Sequence, residues 1–352
     1  MTGPLAATGV VVIGRNEAPR VGRALEAARG AGAALVYVDS GSVDGSAELA
    51  EARGVPVVRL TEGPFTAARG RAAGVHWLER ALPGLRYIQF IDGDCALEPG
   101  WAAAAADYLE SNPGVAAVVG TLRELHAGTS WLSRLVSVEW DLPIGAVDVI
   151  GGISMMRADD LRRAGGWRTD MVAGEELDLS SRLLALGARL VRLDRPMCTH
   201  DMGIRRPIEY WRRSVRTGHG YAQLASEHAR TGPARWRRRA LGAVAYGLML
   251  PAALVVALAL FWPAAVALAS VYVLLAARIF RWRVRRGDEW RVALLYALAT
   301  TICKTAAGLG VVKFLWGRIT GRRHGLFEYK RPGAPAALSE SAPRPATAEG
   351  SS

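Results

Sequence analysis

Along the first 120 residues, short apolar runs rich in β-branched residues alternate with longer stretches of mixed polarity. The runs fall at residues 9–13, 35–38, 55–60, 87–91 and 115–119, and helix-compatible segments at 20–29, 46–53, 66–82 and 100–109 separate them. Strands joined by segments of this length need crossover connections, so the pattern predicts βαβ units and a mostly parallel sheet. The runs are apolar on both faces, as in a sheet flanked by helices on both sides. A later run at 188–193 predicts another strand. Ligands of such sheets sit at the carboxyl ends of the strands, which makes the residues just after each strand the candidates for chemistry.

Those residues are polar. Gly14-Arg15-Asn16-Glu17 follows the first strand, Asp39-Ser40-Gly41-Ser42-Val43-Asp44-Gly45-Ser46 the second, and Asp92-Gly93-Asp94 the fourth. Any one of them reads as a turn rich in Gly, Asp and Ser; three at successive strand ends read as a binding edge. No G-x-G-x-x-G follows the first strand and no G-x-x-x-x-G-K-[ST] occurs, which argues against a dinucleotide dehydrogenase and a P-loop NTPase.

The Asp-x-Asp of Asp92-Gly93-Asp94 resembles the metal motif of GT-A glycosyltransferases. Two carboxylates in one turn suit a hard divalent cation, Mn²⁺ or Mg²⁺. Four further segments are similar to family 2 glycosyltransferases. They are VVIGRNE at 11–17, DSGSVDGS at 39–46, FTAARGRAAG at 65–74, and GGW at 165–167 followed by GEELDLSSR at 174–182. The third departs from the family pattern, with Ala72 where Asn is usual. The resemblance covers about residues 7–230 and implies a GT-A fold for residues 1–232, with helices flanking the sheet.

It also implies roles. Ile13, Arg15, Asn16, Glu17, Asp39, Ser42, Asp92 and Gly93 would bind a nucleotide-sugar donor, for which a UDP-sugar is the expectation, with Asp39 accepting from the base. Arg71 or Arg69 would meet the diphosphate. Asp94 is the first choice of metal ligand, and Asp92 contacts ribose or the metal through water. His200 is either a third ligand, since imidazole suits Mn²⁺, or a plain turn histidine. Glu176 would be the general base, with Glu175 orienting it or binding acceptor; the alternative is that these acids simply favour a helix N-terminus. Trp167 and Asp178 fall on the acceptor side, although Asp178 and Arg182, four apart, also suit an ion pair. Arg212, Arg213 and Arg216 suit phosphate oxygens or a solvated basic face.

The second half reads differently. Residues 240–277 carry no charge, which fits two spans joined near Trp262-Pro263. A second apolar segment, about 291–316, is interrupted by Lys304 and Lys313. It reads as an interfacial or re-entrant helix, a third span being the alternative. Residues 233–330 are thus the expected membrane region and 331–352, rich in Pro, Ala and Ser, an expected disordered tail.

Charge now takes on a meaning. The net charge of +12 hides a split: residues 1–200 carry 20 basic and 24 acidic side chains, residues 201–352 carry 24 and 8. The arginines flank the apolar stretch, which predicts a cytoplasmic catalytic half at an inner membrane by the positive-inside rule. Anionic lipid is the expected partner and nucleic acid is not. Cys95, Cys198 and Cys303 match no zinc or redox spacing, and the N-terminus shows no signal peptide.

The expected function is inverting, metal-dependent hexosyl transfer from a nucleotide sugar to a membrane lipid, a lipid-linked acceptor or a polysaccharide of the cell envelope. The rivals are a processive polysaccharide synthase, which needs more spans and usually a Gln-x-x-Arg-Trp segment, and a non-catalytic nucleotide-sugar-binding scaffold.

Overall fold

The computed structural model describes residues 3–227 and 234–321; the expected tail at 331–352 lies outside them. A 3₁₀ turn at Gly3–Ala7 leads into a nine-stranded sheet. Its strands are β1 (Thr8–Gly14), β2 (Ala34–Asp39), β3 (Val57–Arg59), β4 (Tyr87–Asp92), β5 (Cys95–Leu97), β6 (Val115–Glu124), β7 (Gly145–Ala146), β8 (Ser154–Arg157) and β9 (Arg189–His200). The order is β3-β2-β1-β4-β8-β6-β9-β5, with β7 also on β9. The four strands β3, β2, β1 and β4 run parallel, as do β6 and β9. The strands β8, β5 and β7 pair antiparallel to their neighbours, so the sheet is mixed. These three short strands, of two to four residues, carry too little periodic pattern to be read from sequence.

The helices on this sheet are α1 (Ala18–Ala28), α2 (Ser46–Ala52), α3 (Ala67–Ala81), α4 (Trp101–Ser111), α5 (Trp131–Trp140), α6 (Ala158–Arg163) and α7 (Glu175–Ala185). The first strand is buried along Thr8–Ile13, which explains its unbroken apolar run. Helix α3 lies close over it because Gly74 has no side chain: a Cβ there would collide with the γ-carbons of Val11. Thr66 caps α3 by accepting from the Arg69 N–H at 3.2 Å.

The loops at the carboxyl edge brace one another. Asn16 adopts a left-handed backbone (φ 55°), which asparagine tolerates better than most residues. Its N–H donates to Ser42 Oγ at 2.9 Å, and its side-chain oxygen accepts from Val43 N–H at 3.0 Å. The Glu17 N–H donates to Ser46 Oγ, and the Ala18 N–H to Asp44. The loop after β2 therefore caps the helix that follows β1.

Beyond the sheet come α8 (Pro207–Glu227), α9 (Ala234–Val244), a π-helical turn (Ala245–Met249), α10 (Leu250–Leu260), α11 (Trp262–Arg285) and α12 (Trp290–Thr320). Three helices are long and apolar enough to cross a membrane: Ala234–Leu260, Trp262–Arg285 and Trp290–Thr320. At 1.5 Å per residue each exceeds the roughly 30 Å hydrocarbon core. The chain breaks at Phe261, one residue before Trp262-Pro263. The segment read as interfacial or re-entrant is one continuous helix of 31 residues. It packs on α8 through small residues. A Cβ at Gly218 would strike the backbone of Ala307, one at Gly310 the backbone of Val215, and one at Gly247 the backbone of Lys304. Small residues let the helix backbones approach this closely.

Gly74→Val should overpack the α3–β1 contact and cost about 1–3 kcal/mol, read as a lower melting temperature of the full chain. Gly242→Ala, in a helix with nothing within 4 Å of its Cβ, should leave it unchanged or slightly higher.

Candidate active site

A cavity of about 620 Å³ opens at the carboxyl edge of the sheet. Ile13, Arg15, Asn16 and Glu17 line it from the loop after β1, with Phe65 and Arg71 from around the start of α3. Asp92, Gly93 and Asp94 line it from β4, Glu175 and Glu176 from α7, His200 from β9, and Arg213 and Arg216 from α8. The sequence-predicted residues thus converge on one space, with six exceptions.

Five of them have a structural partner. Asp39 is buried at the end of β2, where it accepts from the Ser42 N–H at 2.9 Å; its neighbour Ser40 faces the cavity instead. Ser42 itself receives the Asn16 N–H. Arg69 turns back to the carbonyls of Glu62 and Pro64 and pins the loop before α3. Asp178 is buried and holds Arg182 at 2.7 Å, the pairing that its four-residue spacing predicts. Arg182 also donates to the Gly166 carbonyl, tying the turn before Trp167 to α7. Trp167 is buried, edge-on to Phe90 and with its ring 5.0 Å from the Arg71 guanidinium. Arg212, unlike Arg213 and Arg216, is exposed.

Arg71 is the electrostatic hinge of the site. It is 4% exposed and donates to Asp92 Oδ1 at 2.9 Å and to Glu175 Oε1 at 3.0 Å. Burial alone would lower its pKa, but Asp92 and Glu175 outweigh that and raise it. Asp92, expected beside the metal site, is therefore held by Arg71.

Asp94 instead faces His200, with Oδ1 3.4 Å from Nε2. Pairing of β5 with β9 sets this approach, because Cys95 and His200 are register partners. Ligand atoms of Asp94, Cys95 and His200 lie within 4.8 Å of one another. Oxygen and imidazole nitrogen suit Mn²⁺ or a similar divalent cation. Burial pushes the Cys95 thiol well above its ordinary range, so it is a poor thiolate ligand. His200 Nδ1 lies 3.7 Å from Glu124, which gives the ring a second carboxylate on its other side. Cys95 was absent from the sequence-based ligand set, although its place directly after Asp94 was a signal.

Glu176 carries the clearest functional signature. Its carboxyl is raised above the ordinary glutamate range, first by burial and then by the like charge of Glu175, against the pull of Arg71 and Arg216. A carboxylate with raised proton affinity is suited to general-base work near neutral pH. The glycine before α7 makes this placement possible: Gly174 takes φ 82°, turning both glutamates into the first helical turn.

Sequence reasoning did not single out Ser40, Phe65, Trp140, Arg192, Tyr221 or Arg239, all of which line the cavity. Phe65 carries the Arg15 guanidinium 4.8 Å above its ring. Arg239 belongs to the first of the three long apolar helices, so one wall of the cavity is built by it.

Comparison with known proteins agrees with this geometry. Residues 9–162 match the family model described as Glycosyl transferase family 2. Over this stretch the chain is similar to family 2 glycosyltransferases. Among solved structures, the mannosyltransferase PcManGT from Pyrobaculum calidifontis, in complex with GDP-Man and Mn²⁺, aligns over 90% of both chains. The identity is 21% and the TM-score 0.59, which shows a shared GT-A fold. GalNAc-T7 with UDP, GalNAc and Mn²⁺ aligns over 56% of this chain and 44% of its own, at 14% identity and a TM-score of 0.44. No curated protein sequence matches the chain.

The cavity therefore places a carboxyl of raised pKa beside a second carboxylate, at a cost in stability. Relative to an unfolded glutamate near 4.3, Glu176 holds its proton longer when folded. Stability from this group is full below the unfolded pKa and is lost as pH rises through the folded one. Glu176→Gln should remove that loss. Its melting temperature should exceed that of the parent on the alkaline side, with the gap narrowing toward acid, in parallel thermal scans across pH.

Proposed function

We propose that this protein transfers a sugar, with inversion, from a nucleoside-diphosphate donor to an acceptor presented at a membrane. The observation that carries the reading is the single cavity. It gathers the loops after β1 and β4, the Asp94–His200 pair, the Glu175–Glu176 pair and an arginine of a membrane-type helix.

The nucleotide lies along the loop after β1 and against Ser40, with Arg15 and Arg216 as donors to its diphosphate. Asp94 and His200 hold a divalent cation, which when bound neutralises charge on the departing diphosphate. Glu176 takes the proton of the acceptor hydroxyl as that oxygen attacks the anomeric carbon. Arg71 fixes Glu175 beside it, so that the two glutamates have different tasks although they are adjacent. One base on the acceptor side supports a single displacement, and hence inversion.

The three apolar helices support a lipid or lipid-linked acceptor, reached from the cytoplasmic face of an inner membrane. Arg285 and Arg286 at the end of α11 and the arginines that open α9 supply the positive flanks of such an orientation.

In the full chain, Asp94→Asn should abolish Mn²⁺-dependent binding of the nucleoside diphosphate. Glu176→Gln should keep that binding and lose transfer by about 10²–10⁴-fold. Calorimetric titration and product release measure the two; undiminished turnover in both variants overturns the reading.

A further inference from the structure

Three arginines are buried among the described residues: Arg71, Arg192 and Arg283. Arg71 is paired with Asp92 and Glu175, and Arg283 with Asp288 and Asp141. Arg192, on β9 and 5% exposed, has no carboxylate within ion-pair distance among the described residues. It makes one hydrogen bond, to the Gly120 carbonyl at 2.7 Å, and its Nε has no partner. Its side chain lines the active-site cavity.

A buried charge without a counter-charge is costly, since neither water nor an ion pair replaces lost hydration. The cost shows in the group itself. Burial lowers the Arg192 pKa, and Asp141 offsets this only in part. Asp141 is already engaged by Arg286 at 3.0 Å and faces Arg283 as well. Nothing in the fold requires a guanidinium here, because a neutral side chain could serve the Gly120 carbonyl as well.

We infer that Arg192 receives an anionic group of the substrate, a phosphate or a carboxylate, at the end of the cavity away from the nucleotide loops. This rests on the glycosyl-transfer reading above and names a chemical requirement on what is transferred or what accepts it. Arg192 lies opposite Val119 of β6 and Gly145 of β7. Its strand is four places from β1 in the sheet, about 19 Å at the usual strand spacing. A nucleotide seated on the loop after β1 has its own arginines, Arg15 and Arg216. The neighbouring segment runs toward the anchor: Trp140 and Leu142 line the cavity, and Asp141 between them is bonded to Arg286 at the end of α11. An anion entering there comes from the side of the membrane helices, which favours a lipid phosphate over a sugar carboxylate.

The test uses the full chain in phosphatidylcholine vesicles with Mn²⁺. One arm compares a long-chain alkyl phosphate monoester in the vesicles with the matching alcohol. The other compares nucleoside-diphosphate hexuronic acids with the neutral hexoses. The parent should bind the anionic member at least about tenfold more tightly in the first arm; preference confined to the second arm places the anion on the sugar instead, and Arg192 still as its receptor. Arg192→Gln should abolish the preference and Arg192→Lys restore part of it. Binding of the bare nucleoside diphosphate should be unchanged, and the melting temperature of Arg192→Gln should not fall. Equal affinities in both arms for the parent, or a preference retained by Arg192→Gln, overturns the inference. A lower melting temperature with all binding lost shows a structural arginine and overturns it too. Failure of the parent to bind the nucleoside diphosphate sinks the glycosyl-transfer reading itself, which the other outcomes leave standing.

Discussion

A single buried cation holds the two sides of the site together. Arg71 reaches Asp92 at the end of β4 and Glu175 at the start of α7, which are 21 and 104 positions away from it in the sequence. Removing one member of such a pair usually costs about 3–5 kcal/mol, because the others are left charged and dry. The surroundings are shaped around it. Trp167 lies beneath the guanidinium, and Gly152 has to be glycine because a Cβ would occupy the space of the Arg71 terminus. With Glu175 fixed in this way, its charge adds to the burial that raises the proton affinity of Glu176.

The loops at the carboxyl edge are built on the same economy. Residues that resemble nucleotide contacts are also one another's braces: Asp39 closes its own turn, Ser42 and Ser46 receive backbone N–H groups of Asn16 and Glu17, and Asp44 caps α1. The loop is thereby ordered before any ligand arrives, and less conformational entropy remains to be lost on binding. Arg15, Asn16 and Ser40 of these same loops also line the cavity.

How much of this was legible in the sequence depends on the range of the interaction. Strands β1, β2, β4 and β6 declare themselves because a doubly covered strand is an unbroken apolar run. The Asp178–Arg182 pair is readable because helix geometry puts residues four apart on one face. The convergence of Asp94 and Glu176 on one cavity was carried by motif resemblance. The partnership of Asp94 with Cys95 and His200 was only partly visible, since it depends on a three-residue strand, β5, whose pairing with β9 is set by tertiary contacts. Arg71 could be named as a cation near phosphate, but its role between two carboxylates was hidden by 104 residues of intervening chain. Arg192 left no local signal, because an arginine in a strand looks the same whether its guanidinium ends in water or in a dry cavity.

The glycine seam between α8 and α12 has a bearing on how such proteins can be rearranged. Gly218 and Gly310 bring the two backbones against each other, and α8 also carries Arg213 and Arg216 into the cavity. The long apolar helices are therefore part of the cavity's wall and not only an appendage to the sheet domain. An unrelated membrane helix fused after residue 227 would restore attachment to the bilayer but leave the α8 face bare and the Arg239 corner missing. A shift in the packing of the apolar helices along this seam is therefore also a change in the shape of the cavity.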